Sequence, residues 1–298
     1  MTPRWRSILV RLAGWLLTVG GVVLVPWSLW PEFGEEGPMV GPLRPEMMVL
    51  PAGTFDMGPS DDTHEVTLSR FAIARTEVTQ GMYERVMGEN PSESEYKGVS
   101  LLGETLPVQN VSWLDAVRYC NALSALEGLT PAYRVEDDEV TWDRDADGYR
   151  LPTEEEWEYA ARGGTSHTWA GTSEEADLCS YANVADAQAK DAFGFSSTSC
   201  DDGVAGLAPV GHYRANAWNL YDMSGNVWEW VWDWVQEYPE GLQDNPEGPS
   251  AGSLRVARGG SWNFLPVVAR VAGRYRWSPS YRDNVLGFRP ARSFPSAL

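Results

Sequence analysis

Chain breakers come so often in this sequence that long regular elements have little room. Glycine (29) and proline (20) make up about a sixth of the 298 residues. Each favours a turn or ends a helix or strand. A chain so interrupted must build its core from short elements and side-chain packing. Its aromatic stock suits that task, with 15 tryptophans, seven of them between Trp218 and Trp277. Hydrophobic residues at 43% and charged residues at 22% exclude wholesale disorder. Three helices can be placed by their caps. Thr79 opens one with Met82, Tyr83, Val86 and Met87 inward and a stop near Gly88. Ser112 begins a capping box with Asp115, and Trp113, Ala116, Val117, Cys120 and Leu123 form one stripe up to Gly128. Thr153 begins a second box with Glu156, with Trp157, Ala160 and Ala161 on one side and Gly163 as terminator. Met47 to Gly58 reads as two short strands about a turn, and His64 to Arg70 as a strand.

The N-terminus sets the compartment. Leu12 to Trp30 carries no charge, and as a helix it would span about 28 Å, close to a bilayer core. Arg4, Arg6 and Arg11 precede it, whereas Glu32, Glu35 and Glu36 follow. This asymmetry leaves residues 1–11 in the cytoplasm and everything after residue 30 outside, periplasmic or extracellular. A cleaved signal is the rival reading. No small-residue cleavage site stands before Pro26 and Trp27, which favours an uncleaved transmembrane anchor over 12–30. Residues 31–45 form a Pro/Gly linker, and residues 46–293 share one domain. The net charge is −19, and the three arginines of the first 31 residues leave −22 on the rest. Such a surface repels nucleic acid and suits cations. Export permits disulfides. Cys179 and Cys200 lie 21 apart in turn-rich sequence and make the natural pair, with Cys120 buried on its helix.

Six segments then carry a resemblance. They are Met48–Gly58 (MVLPAGTFDMG), Pro107–Trp113 (PVQNVSW), Tyr149–Ala160 (YRLPTEEEWEYA), Asn219–Trp230 (NLYDMSGNVWEW), Arg258–Trp262 (RGGSW) and Leu286–Arg289 (LGFR). In this order they resemble the formylglycine-generating enzyme, or sulfatase-modifying-factor, family. The resemblance implies an α+β, irregular C-type-lectin-like fold with little regular secondary structure, here preceded by one transmembrane helix. It also implies two cysteines that bind copper, but their positions hold Phe264 and Ala269. Thiolates suit Cu(I) because both are soft, and neither Phe nor Ala replaces them. No copper is therefore expected, and the naming activity should be absent. The histidine that follows the first cysteine is Leu265 here, whereas the pocket residues Trp228 and Ser261 are retained.

Other members of the resemblance point to two different tasks. One branch is a non-haem-iron oxidase, which leaves iron open; the histidines here are His64, His167 and His212. Another consists of ligand-binding proteins that present their binding residues between the RGGSW and GFR segments. That comparison gives the preferred expectation, a binding module for an unknown ligand or envelope protein. Its cleft would be built from Trp228, Ser261, Trp262, Arg270, Arg274, Arg276, Trp277 and Arg282, with Tyr275 and Tyr281 nearby. Arginine and aromatic groups carry much binding energy at interfaces, and arginine suits carboxylate or sulfate.

Two structural calcium sites also follow from the resemblance. One maps onto Asn183, Val184, Asp202 and Val204, the other onto Asp222, Gly225, Val227 and Glu229. Calcium accepts carboxylate, amide and backbone oxygens, which is what these residue types offer. A third acidic stretch, Asp143, Asp145, Asp147 and Gly148 followed by Glu154, matches the EF-hand spacing. Pro152 falls inside that loop, and Tyr133 to Trp142 alternates like a strand, so an acidic hairpin at Asp147–Gly148 is expected instead.

Overall fold

The three cap signatures fold as read. In a computed structural model that describes residues 43–239 and 241–294, helix α1 spans Gln80–Met87. Thr79 accepts the Met82 N–H, and Gly88 closes the helix in the left-handed conformation. Helix α2 is Trp113–Leu126 and α3 is Glu154–Arg162, and in each both halves of the capping box form. The whole α2 stripe from Trp113 to Leu123 is buried. A fourth helix, α4 (Ala187–Phe193), was not expected; Asp186 caps it and Gly194 ends it. Residues 12–30 and the linker up to residue 42 lie outside the described residues. Among those described, no helix is long and apolar enough to cross a membrane.

A four-stranded sheet organises the rest. Its order is Arg274–Trp277, Arg255–Arg258, Trp228–Trp234, Leu286–Phe288. The first two pairings are antiparallel and the last is parallel. Side chains alternate between the two faces of a strand, and here the alternation separates two chemistries. Arg258 and Arg274 turn to the α3 side, where Glu154 and Glu158 receive them. Trp228, Trp230 and Ala257 turn to the other side and join one core with the α2 stripe.

A second sheet runs Met47–Leu50, Phe71–Ala74, Ala291–Ser293, Tyr149–Arg150, and a third pairs Gly53–Met57 with His64–Leu68. The two strands expected about Pro51 therefore exist but do not pair with each other. The segment His64–Ala74 supplies a separate partner to each. Tyr133–Trp142 is not one strand but a hairpin, Tyr133–Glu136 with Glu139–Trp142, turned at Asp137 with positive φ. Nor is Asp147–Gly148 a hairpin. Asp147 accepts the Thr130 N–H, and Gly148 sits so close to the Thr130 carbonyl and Ser124 that no side chain would fit.

Candidate binding site

Six acids lie buried around the start of α3, and five arginines are paired with them or lie close by. Glu154, Glu155, Glu156, Glu158, Glu229 and Asp233 are all buried. Buried carboxylates are tolerated when paired and hydrogen-bonded. Glu156 takes Arg150 in a fork at 2.6 and 2.7 Å. Glu158 joins Arg162 and Arg258, and Glu154 takes Arg274 at 2.5 Å. Arg258 also donates to the Val271 and Gly273 carbonyls, which pins the entry to the strand Arg274–Trp277. Glu229 receives both arms of Arg289 at 2.6 Å and the Trp157 Nε1–H at 2.8 Å. Glu155 and Asp233 are less well served. Burial pushes both carboxyls up, Asp233 to about 7, and each raises the other or is raised by Glu154. This network overturns any EF-hand reading, because Glu154 is held by Arg274 and cannot serve Asp143, Asp145 and Asp147.

The opposite face is aromatic. Trp228 is fully buried, with Phe264, Tyr275 and Trp277 packed against it at ring distances of 5.9, 5.6 and 5.8 Å. Trp277 in turn stacks on Tyr281 at 5.6 Å. Ala269 is fully buried beside Gly260. The two positions that would carry thiols thus hold apolar side chains packed into their surroundings. The shelf opens to solvent at Tyr275, 46% exposed, and Tyr281, 38% exposed.

The expected cleft is not one site. Trp228, Ser261 and Trp262 are buried, and Trp262 packs among Tyr96, Phe193 and Phe195. Arg282 is tied to Asp115 at 2.5 Å, and Arg270 is exposed elsewhere on the surface. Of the eight residues only Arg274 and Arg276 line a cleft of about 680 Å³. It lies between the strand Arg274–Trp277 and the segment Val235–Tyr238, with Asp62 and Tyr275 completing its walls. Arg274 is fixed there by Glu154 and the Gln236 carbonyl, whereas the Arg276 side chain makes no hydrogen bond or ion pair among the described residues. The sequence signal for this split was the run Arg-Tyr-Arg-Trp, since a period of two sends arginines and aromatics to opposite faces. Asp62 and the 235–238 segment carried no such signal.

The two groups mapped for calcium meet in space. Asn183 and Gly225 form an isolated bridge, and the Asn183 carbonyl accepts the Asn226 N–H at 2.8 Å. In the first group, Asp202 accepts from Val204 N–H and Tyr213 O–H, while its own N–H goes to Asp186. Burial, and then Asp186, push Asp202 up to about 7. In the second, Asp222 accepts the Gly211 N–H with one oxygen, and its other oxygen is buried without a partner. Glu77, also fully buried, has an unpartnered oxygen too, and burial and Asp222 push its carboxyl up strongly. Asp186 and Asp202 have no cationic partner among the described residues and fit a cation better than Glu77 and Asp222, which already feel the charge of Arg289. Glu229 does not fit, because Arg289 and Trp157 occupy its carboxylate. Among the described residues no three His, Cys, Asp or Glu side chains converge as a metal site. His64 packs on Tyr238, His167 lies beside Ser173 and His212 packs on Tyr213.

Cys179 and Cys200 are joined, and Cys120 is free and buried. The bridge closes the loop that bears Asn183 and Val184 and ends just before Asp202. Cross-linking a loop of this length stabilises by about 3 kcal/mol. Replacing both cysteines by serine should lower the thermal midpoint by roughly 6–12 °C, measured by calorimetry. A thiol titration of the unreduced, denatured chain should find only Cys120.

The profile of the sulfatase-modifying factor enzyme 1-like domain matches residues 37–294. The chain belongs to this family. The chaperone protein LppX of Paenibacillus barcinonensis is 35% identical over 268 residues, covering 83% of this chain and 89% of LppX. The formylglycine-generating enzyme of Mus musculus is 36% identical over 197 residues, covering 62% of this chain but 44% of that enzyme. Among solved structures, the Treponema denticola variable protein 1 superposes with a TM-score of 0.72 at 34% identity, over 83% of this chain and 94% of that one. The sulfatase-modifying-factor fold therefore accounts for the mixed α/β architecture and its short elements, and this chain spans less than half of the mouse enzyme.

Proposed function

We propose that this chain is an exported, membrane-anchored binding module on the sulfatase-modifying-factor scaffold, stabilised by calcium. One observation carries the reading. Phe264 and Ala269 stand at the thiol positions, with Phe264 packed on Trp228 and Ala269 fully buried. Soft copper has no ligands there. What remains on the surface beside them is the aromatic shelf, and the other face of the same strand carries the cleft lined by Arg274 and Arg276. A relative named as a chaperone, alike over most of both chains, supports a task of binding protein. Anchoring rests on residues 12–30 and export on the charges around them.

Site-specific photo-crosslinking in the native envelope tests the module. A photoreactive residue at Tyr275 should give a discrete protein adduct, and one at Val49, exposed on another sheet, should give none. Aldehyde formation on a cysteine peptide by the copper-loaded chain, or absence of any Tyr275-specific adduct, would overturn the reading.

Calcium has its own test at Asp202. A carboxyl raised to about 7 in the folded state, from an ordinary 3.8, stabilises the fold fully below pH 4 and loses that contribution as pH rises through 7. In chelator, the thermal midpoint should therefore fall across this window, and Asp202→Asn should abolish part of the fall. With calcium the order should reverse at pH 8, where the charged carboxylate is the ligand and the Asn variant melts lower. Equal melting with and without calcium at pH 8 would remove calcium from the proposal.

A further inference from the structure

The cleft of about 680 Å³ between the strand Arg274–Trp277 and the segment Val235–Tyr238 has the size of a small-molecule site. Asp62, Glu237, Arg274 and Arg276 are its charged lining, and only one of the four is matched from within the chain. Arg274 is neutralised by Glu154 at 2.5 Å. Asp62, Glu237 and Arg276 are exposed, and among the described residues their side chains make no hydrogen bond or ion pair. The charge left for a guest is therefore two carboxylates and one guanidinium. The wall between them is held in place. Tyr238 packs on the Arg274 guanidinium, 4.5 Å from its ring centre, and on the His64 ring at 4.7 Å. Arg274 also holds the Gln236 carbonyl. A site fixed in this way loses little freedom when a guest enters.

We propose that this cleft binds a small molecule bearing two ammonium groups and one carboxylate, the charge set of a free basic amino acid or of a dipeptide containing one. The guest's carboxylate would meet Arg276, whose planar fork of donors suits that group. Its ammonium groups would meet Asp62 and Glu237, and its aliphatic part the rings of Tyr238 and Tyr275. A purely acidic guest would face Asp62 and Glu237, and a purely cationic one would face Arg276. Like charges set against each other reject wrong partners, so a wall of mixed charge favours a guest of mixed charge. The proposal goes beyond the binding-module reading, because it holds whether or not a protein docks on the aromatic shelf.

The test is titration calorimetry of the full chain in detergent, with L-lysine, the dipeptide Ala-Lys, lysinamide and L-glutamate as probes. Lysine or Ala-Lys should bind, and the tighter of the two identifies the free amino acid or the peptide as the source. Lysinamide lacks the carboxylate and should bind about fivefold more weakly, as expected for the loss of one exposed ion pair. Glutamate should bind at least tenfold more weakly. This order separates the site from general attraction, since a chain of net charge −19 would otherwise favour the doubly charged lysinamide. In Arg276→Gln, lysine should fall about fivefold, to the level of lysinamide, whose own binding should not weaken. Asp62→Asn and Glu237→Gln should each weaken lysine and lysinamide alike, by about threefold. All three side chains are exposed, so the variants should melt with the unaltered chain. No binding of lysine or Ala-Lys, lysinamide binding as tightly as lysine, or a preference for lysine that survives Arg276→Gln would overturn the proposal. Crosslinks at Tyr275 that persist in any of those cases leave the module reading standing.

Discussion

Arg289→Met should cost about 4 kcal/mol, enough to remove much of a domain's ordinary stability. Arg289 is fully buried and donates both arms to Glu229, with its remaining bonds on the Ala74 and Tyr221 carbonyls. Glu77 and Asp222 lie in the same cluster, and both feel its charge. Methionine fills the volume but leaves three carboxyls without a cation. The thermal midpoint should fall by about 10 °C or more at pH 7. Two further measurements separate charge from packing. The deficit should shrink towards pH 4, since unpaired buried carboxyls have raised pKa values and a protonated cluster has no charge to compensate. Glu229→Gln added to Arg289→Met should recover part of the loss, because Gln can still accept the Trp157 N–H without leaving a charge. A deficit that is constant in pH and unrelieved by the second substitution would mean that Arg289 acts through shape alone.

The same cluster shows where the sequence could be read and where it could not. The caps of α1, α2 and α3 were legible because a capping box is local: Ser112 and Asp115, or Thr153 and Glu156, satisfy each other within one turn. The burial of Glu154, Glu155 and Glu156 was not legible. Three glutamates in a first turn look like solvated charge favouring a helix N-terminus. Glu156 is met by Arg150, six residues before it, but the burial of Glu154 depends on the long-range arrival of Arg258 and Arg274. The expectation of one cationic cleft built from Arg270, Arg274, Arg276 and Arg282 fails for the same reason. Arg274 and Arg282 already have carboxylate partners within the chain, and pairing in the strand puts Trp277 on the face opposite Arg276. The family resemblance located the scaffold and the absent thiols. The cleft's other wall, Val235–Tyr238, came only from tertiary placement, since that segment has neither period nor motif.

Gly225→Ala should prevent folding. A Cβ at this position would lie 1.9 Å from the Asn183 carbonyl oxygen, and the backbone has φ of +84°. Neither atom can give way cheaply. Asn183 belongs to an isolated bridge with Gly225, accepts the Asn226 N–H, and sends its amide to the Gly206 carbonyl and the Asn226 side chain. The contact joins the loop closed by Cys179–Cys200 to the turn that leads into Trp228–Trp234. Separating them strains both groups mapped for calcium at once. The cost should exceed about 4 kcal/mol, in the range reserved for severe core lesions. Gly88→Ala provides the calibration. Its φ is similar, +81°, but nothing lies within 4 Å of the added carbon, so only the left-handed backbone penalty of about 1–2 kcal/mol applies. The expected result is a Gly88 variant that melts a few degrees low and a Gly225 variant recovered without a cooperative transition. Similar melting of the two would show that φ alone sets the cost, and that the Asn183–Gly225 approach does not bind the two loops together.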